Sequence, residues 1–432
     1  MSSGINTKKF FLYSIIILLF VHFVKEEFIY YLPILGLIYI SAFLVIVSEN
    51  NFSYIKSASF IFYILFLASL IWVGIWTFSF FDNDTIQIKF NFFVYINSLG
   101  RLYLMPFLAL IFLCFVDKKE DYETILICFL IIFCIGSLSM LLQQIIGGIN
   151  VLGTFGAPRF LGLAPFPSTL GNITVYGSGV AIAIVICMMN TKINLFLKSF
   201  LMAILILGVF LTMQKSALIN LLIGIAALII FLKTRTLLSL TVLTLIGFFF
   251  IALFIPDILV NIVSLFANTF GFQIEYGGTG LFHAGLYDSI IDRFIDRQVD
   301  WLKTPNNIKE LLFGYGLPGG TDAMGYYFHT NMWHDSRLNP QLTIGTTHNA
   351  YLDLYQMGGI FLPLVFITLG LSVTKDLFFT WLNNKDNLSK ILFISNLIFL
   401  LNCFVANGIL FHPIISLPFW LSIAYILSPI KK

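Results

Sequence analysis

Charge is what this 432-residue sequence has least of: Lys, Arg, Asp and Glu together make up 10% of it. A soluble domain carries roughly 25%. So little charge cannot cover a water-facing surface. A soluble enzyme, a disordered chain, a coiled coil and a nucleic-acid binder are therefore excluded. Cysteine is scarce as well. The five, Cys114, Cys128, Cys134, Cys187 and Cys403, all fall inside apolar runs, and no CxxC pair exists. Neither a disulfide framework nor a thiolate zinc site is expected, and small apolar core residues are. Acidic residues are almost missing from the apolar runs, where Asp353 is the only one. Transporters coupled to protons or sodium usually need buried carboxylates. HExxH and P-loop motifs are absent too. No internal repeat and no low-complexity tract is visible.

What is present is hydrophobic: 59% of the residues, with 48 Phe. Apolar runs fall at 10–24, 28–47, 58–80, 92–116, 124–148, 173–189, 193–213, 216–232, 237–255, 349–373, 388–408 and 411–429. Each is near the length of about 20 residues that crosses a bilayer. The expected fold is all-α: a polytopic membrane protein with about twelve transmembrane helices and one large periplasmic loop containing short helices. The expected division is 1–255 (nine spans), 256–347 (the loop) and 348–432 (three spans). Lys8 and Lys9 precede a first span that reads as retained rather than cleaved.

The positive-inside rule then orients the chain. With a cytoplasmic N-terminus, the inside segments hold Lys8, Lys9, Lys56, Lys118, Lys119, Lys192, Lys198, Lys233, Arg235, Lys375, Lys385, Lys390, Lys431 and Lys432, which is 14 of the 24 basic residues. Only Lys25, Lys89, Arg159 and Lys215 fall on short outer segments. Both termini are expected in the cytoplasm.

The loop at 256–347 is too long for a simple connection. Within it, 286–302 reads as an amphipathic helix. Asp288, Asp292, Asp296 and Asp300 share one face, and Arg293 and Arg297 sit at its border. The arginines either pair with aspartates three residues on or form an anion clamp, since guanidinium binds phosphate oxygens in a fork and stays charged. Arg101 lies inside the fourth apolar run, where a charge costs around 2.5–3.5 kcal/mol unless it faces a polar cavity. Lys215 and Arg159 lie on outer segments, where each is either an interfacial snorkeller or part of a basic, outward-opening cavity.

The stretch from Thr346 to Gly359 joins the loop to the tenth run. Thr347 or Asn349 suits a helix N-cap, which puts His348 at a helix start. Free N–H groups and the helix dipole there favour an anion and a neutral imidazole. A lone His is otherwise a hydrogen-bonded structural residue.

His348-Asn349-Ala350-Tyr351-Leu352, followed by Gly358 and Gly359, resembles the signature of the O-antigen polymerase/O-antigen ligase family. Upstream, that family has an Arg four residues before a Trp and then a Gly-aromatic-Gly turn, matched here by Arg297, Trp301 and Gly314-Tyr315-Gly316. Its Ser-Arg pair between two spans is Gln214-Lys215 here, which keeps the charge and loses the fork. An Arg-x-x-Gly element is matched by Arg159 and Gly162. The motifs cover the second half of the chain, and the first half resembles the family by topology alone.

The resemblance implies an inverting glycosyltransferase in the bacterial inner membrane, acting at its periplasmic face without metal or other cofactor. Donor and acceptor would be undecaprenyl-pyrophosphate-linked oligosaccharides within the lipid bilayer. A chain-length regulator and a flippase would be partners, and nucleic acid would not. His348 and Arg297 would be catalytic. Lys215, Arg159, Arg293 and Arg101 would serve the pyrophosphate, and Asn349 and Tyr351 would be supporting residues. The polymerase is the favoured member. A ligase that transfers glycan to lipid A-core carries the same motifs. A flippase for lipid-linked sugars would also need a basic cavity.

Overall fold

The computed structural model describes residues 57–78, 105–114, 118–145, 171–212, 215–232, 308–314, 349–404 and 414–428, with a few isolated positions besides. Among them every regular element is a helix and there is no strand. In chain order these are α1 (Ala58–Phe78), α2 (Met105–Cys114), α3 (Lys119–Ile145), α4 (Gly171–Met189), α5 (Leu195–Thr212) and α6 (Lys215–Phe231). Within the loop lies α7 (Ile308–Phe313), and after it come α8 (Ala350–Gly358), α9 (Phe361–Asn384), α10 (Asn387–Asn402) and α11 (Leu417–Leu427). The apolar runs at 10–24, 28–47 and 237–255, the residues 286–302 and most of the loop lie outside the described residues.

Among the described residues four helices are long and apolar enough to cross a membrane: Ala58–Ile75, Lys119–Gln143, Leu195–Thr212 and Phe361–Asn384. Their outward surfaces are apolar. Ile61, Leu65, Ile71 and Ile75 are exposed on α1, and Phe361, Leu364, Leu371 and Phe379 on α9. Helices satisfy their own backbone hydrogen bonds, which a hydrocarbon surrounding demands. The chain is a helical membrane protein.

Helix limits follow local chemistry more closely than hydropathy. α3 starts five residues before its apolar run, because Glu120 and Asp121 complement the positive end of the helix dipole. α9 ends at Lys385, whose left-handed backbone (φ 48°) turns the chain within two residues. Asp386 then caps α10 by accepting from Ser389 N. One expectation is corrected. The run at 349–373 is not a single span but α8, a break at Gly359–Ile360, and then α9.

α4 is the axis of one half of the bundle. From Tyr176 to Asn190 every residue is buried, enclosed by α3, α5, α6 and α10. Small residues let α4 and α6 approach closely. A Cβ on Gly177 would sit 3.0 Å from the Ala217 Cβ, and one on Gly224 3.1 Å from the Ala181 Cβ. α1, α8, α9 and α11 form the other half around aromatic rings, with Phe66–Phe366 at 5.6 Å, Phe366–Phe419 at 5.6 Å and Phe66–Trp420 at 6.3 Å. α10 touches both halves and joins them.

One end of the bundle is a polar network. Asp386 accepts from Ser389 Oγ (2.6 Å) and Tyr425 OH (2.6 Å) and lies 3.3 Å from Lys119 Nζ. Burial would raise its carboxyl, but these donors and the lysine outweigh it and hold it below the usual carboxylate range. Two more lysines close helix ends in trans. Lys198 Nζ donates to Met188 O and Lys390 Nζ to Phe231 O, each at 2.7 Å. The carbonyls they reach are those a helix C-terminus leaves unbonded.

Candidate functional site

The candidate site is built at the other end. Asn349 has extended backbone (φ −150°, ψ 112°), and its side-chain oxygen accepts from Tyr351 N (2.9 Å) and Leu352 N (3.3 Å). Of the two residues expected to cap this helix, Asn349 is the one that does so. Ala350 N donates to Cys403 O at 2.7 Å, which ties the start of α8 to the end of α10. Tyr351 reaches into the aromatic core, 5.8 Å from the Phe366 ring, and its hydroxyl donates to Leu400 O at 2.8 Å. These two supporting residues thus fix where α8 begins and which way it runs.

The cap also corrects an expectation. Free N–H groups at the start of α8 were to attract an anion. The amides of Ala350, Tyr351 and Leu352 are all bonded within the protein, and the first-turn acid Asp353 is buried. Main-chain donors are spent here and are not available to an anion.

Lys215 is the first residue of α6. A short series of contacts puts that helix start at the same end of the bundle as the start of α8. Ala217, two residues into α6, abuts Gly177 of α4, and Asn220 Nδ2 donates to Gly177 O at 2.9 Å. Next to it, Ser178 O accepts from Asn402 Nδ2 at 2.6 Å. Asn402 adjoins Cys403, whose carbonyl receives Ala350 N. His348, Arg297, Arg293, Arg159 and Arg101 lie outside the described residues.

Two glycines that are 45 residues apart in sequence do meet. Gly314 follows α7 with φ +69°, and Gly359 follows α8 with φ +63°. The backbone around each fills the space where the other's side chain would project. Ile360 N donates to Leu311 O at 3.0 Å. The resemblance drew attention to both elements, but nothing in their spacing told that they touch. Likewise, the lysines that the charge rule assigns to one side include structural caps that hydropathy does not reveal.

Among the described residues no group of three or more His, Cys, Asp or Glu is placed to hold a metal ion. All five cysteines are free thiols. Comparison of the chain with family models, curated proteins and solved structures gives no match of any kind.

Proposed function

We propose that this chain is an O-antigen polymerase: an inverting, metal-independent glycosyltransferase of the bacterial inner membrane. It joins undecaprenyl-pyrophosphate-linked repeat units at the periplasmic face. About twelve spans, cytoplasmic termini and a periplasmic loop at 256–347 belong to the same proposal. One observation carries it: the starts of α6, with Lys215, and α8, with Asn349, share the end of the bundle opposite the lysine-capped one. That shared end supports a site that draws on both Lys215 and His348.

The reaction assigns each group a task. The acceptor hydroxyl attacks the anomeric carbon of the donor glycan from the side opposite the pyrophosphate, and a new glycosidic C–O bond forms as the old one breaks. The electron pair leaves with undecaprenyl pyrophosphate. His348 takes the hydroxyl proton, a step worth typically about 10²–10⁴-fold. Arg297, with Lys215 and Arg159, holds the pyrophosphate and stabilises the charge that grows on it. Arg293 and Arg101 extend the basic surface. The spent amides of α8 support this division, because they leave the anion to side chains.

Deleting the gene and running the lipopolysaccharide on a gel tests the reading. The expected outcome is core carrying a single repeat unit. Bare core with lipid-linked polymer accumulating would mean a ligase, and repeat units trapped in the cytoplasm would mean a flippase. His348→Ala and Arg297→Ala should each abolish the ladder at normal expression. Wild-type ladders from both would sink the site assignment.

A further inference from the structure

Lys390 carries a charge that the fold does not answer. Lys119 lies 3.3 Å from Asp386 and Lys192 lies 2.6 Å from Glu123, so each of these lysines has a carboxylate. Lys375 and Lys385 are exposed, where water solvates them. Lys390 is half-buried, and among the described residues no carboxylate stands within ion-pair distance of it. Its Nζ donates to Phe231 O at 2.7 Å and lies 5.2 Å from the centre of the Trp381 ring. Lys198 also closes a helix end, but among the described residues no ring stands over its ammonium.

The walls around Lys390 are aromatic and come from three helices. Phe231 ends α6, Trp381 is on α9 and Phe393 is on α10. Their ring centres are 5.9 Å (Phe231–Trp381), 5.8 Å (Phe231–Phe393) and 6.0 Å (Trp381–Phe393) apart. A ring face attracts an ammonium but brings no net charge. The C-terminus of α6 brings about half a negative charge and takes one of the three ammonium N–H groups. Two N–H groups and about half a positive charge remain. A charge held partly out of water needs a partner. Trp381 is the fourth residue from the end of α9 and Lys390 the fourth of α10. At 1.5 Å per residue both lie within about 5 Å of the turn between these helices, the level at which Trp meets lipid headgroups. The surface beside them is hydrocarbon, with Ile229 and Ile230 exposed on α6 and Phe379 and Leu382 on α9.

We propose that the niche of Phe231, Trp381, Lys390 and Phe393 binds the phosphodiester headgroup of an anionic phospholipid, whose acyl chains lie along Ile230 and Leu382. A phosphate supplies what the niche lacks: a full negative charge and oxygens that accept the remaining N–H groups. The Trp381 indole adds a donor of its own. A zwitterionic headgroup brings its own ammonium up to Lys390 and gives up that advantage. Basic pockets between membrane helices hold anionic headgroups on the same grounds. The site does not rest on the reaction proposed above, and a chain that makes no polymer would leave it standing.

The test uses the full-length protein in detergent, with dioleoyl-phosphatidylglycerol as the anionic lipid and dioleoyl-phosphatidylcholine as the zwitterionic one. Native mass spectrometry should show phosphatidylglycerol retained in preference to phosphatidylcholine. Lys390→Gln keeps a donor for Phe231 O and removes the charge. It should weaken phosphatidylglycerol binding about fivefold, the typical weight of one lysine at a charged membrane surface. Lys390→Arg should keep the binding, and Lys385→Gln should leave it unchanged. Equal retention of the two lipids overturns the proposal, and so does a loss from Lys385→Gln or Lys390→Arg as large as that from Lys390→Gln. Displacement of the lipid by inorganic phosphate would mark a site for the free anion and overturn it as well. Should Lys390→Gln fail to fold, p-benzoylphenylalanine placed at Ile230, which is 72% exposed, decides the matter. On irradiation it should capture phosphatidylglycerol over phosphatidylcholine more strongly than the same group at exposed Ile61 of α1. Equal lipid ratios at the two positions overturn the niche.

Discussion

The two ends of the helical bundle are held by different physics. At one end long charged and hydroxylic side chains do the work: Asp386 with Ser389, Tyr425 and Lys119, then Lys198, Lys390 and the Lys192–Glu123 pair at 2.6 Å. At the other, small residues let backbones meet directly, as at Gly177 against Ala217 and Gly314 against Gly359, with asparagines bonding the carbonyls between. The contrast separates structural cations from candidate chemical ones. Lysines that close helix ends are committed to the fold. Among the described residues, the end built on glycine and asparagine is held without a cation.

The largest effect should come from the glycine-built end. Gly177→Leu pushes a branched side chain into a space where a Cβ already meets Ala217 at 3.0 Å. Overpacking of this kind typically costs about 1–3 kcal/mol, and helices that cannot shift bring it to the upper part of that range. Loss of the monodisperse peak in size-exclusion of the detergent-solubilised protein is the expected result. An unchanged peak and melting temperature would mean that α4 and α6 are not so tightly apposed.

A middle effect belongs to the charged end. Asp386→Asn removes a carboxylate that accepts three hydrogen bonds, and hydrogen bonds to charged groups contribute about 1.5–3 kcal/mol. The folded carboxyl titrates below its ordinary value, so its contribution is complete above that value. It is lost as pH falls towards the folded one. Melting curves should show wild type above Asp386→Asn at neutral pH and the two converging in acid. Parallel curves would contradict the network.

The smallest effect is reserved for Lys192→Ala. Glu123 raises the Lys192 ammonium through a hydrogen bond and its charge, but the lysine is fully exposed. Exposed pairs of this sort are screened by water and salt. Its contribution is present below the ordinary lysine value and fades only as pH rises towards the higher folded one. A melting temperature indistinguishable from wild type in ordinary buffer is expected. A drop as large as that of Asp386→Asn would erase the distinction between exposed and enclosed charges.

Composition made the helical, membrane-suited character of the chain legible, because a sequence so poor in charge has few other ways to fold. The helices α1, α4, α5 and α6 begin and end within a few residues of their apolar runs. The break after α8 was not legible, since hydropathy continues across it. What stops the helix is the loop backbone at Leu312, 47 residues earlier. Asn349 was readable as a cap from its type and place. That it and Cys403 use up the first amides was not, because Cys403 arrives from another helix. Trans-caps such as Lys390 on Phe231 escape sequence reading for the same reason: a lysine looks alike whether it meets a carbonyl or a phospholipid.

α4 touches no lipid along its described side chains, and this frees it from the rule that governs its neighbours. A helix facing acyl chains must present hydrocarbon, whereas a sheathed one can carry Tyr176, Gly177, Ser178 and Asn190 at no solvation penalty once its companions surround it. Its station in the bilayer is then dictated by assembly rather than by partitioning. A truncation that ends the chain before α10 would leave this strut half unclad, and its polar first turns would become the weak point of the remaining protein.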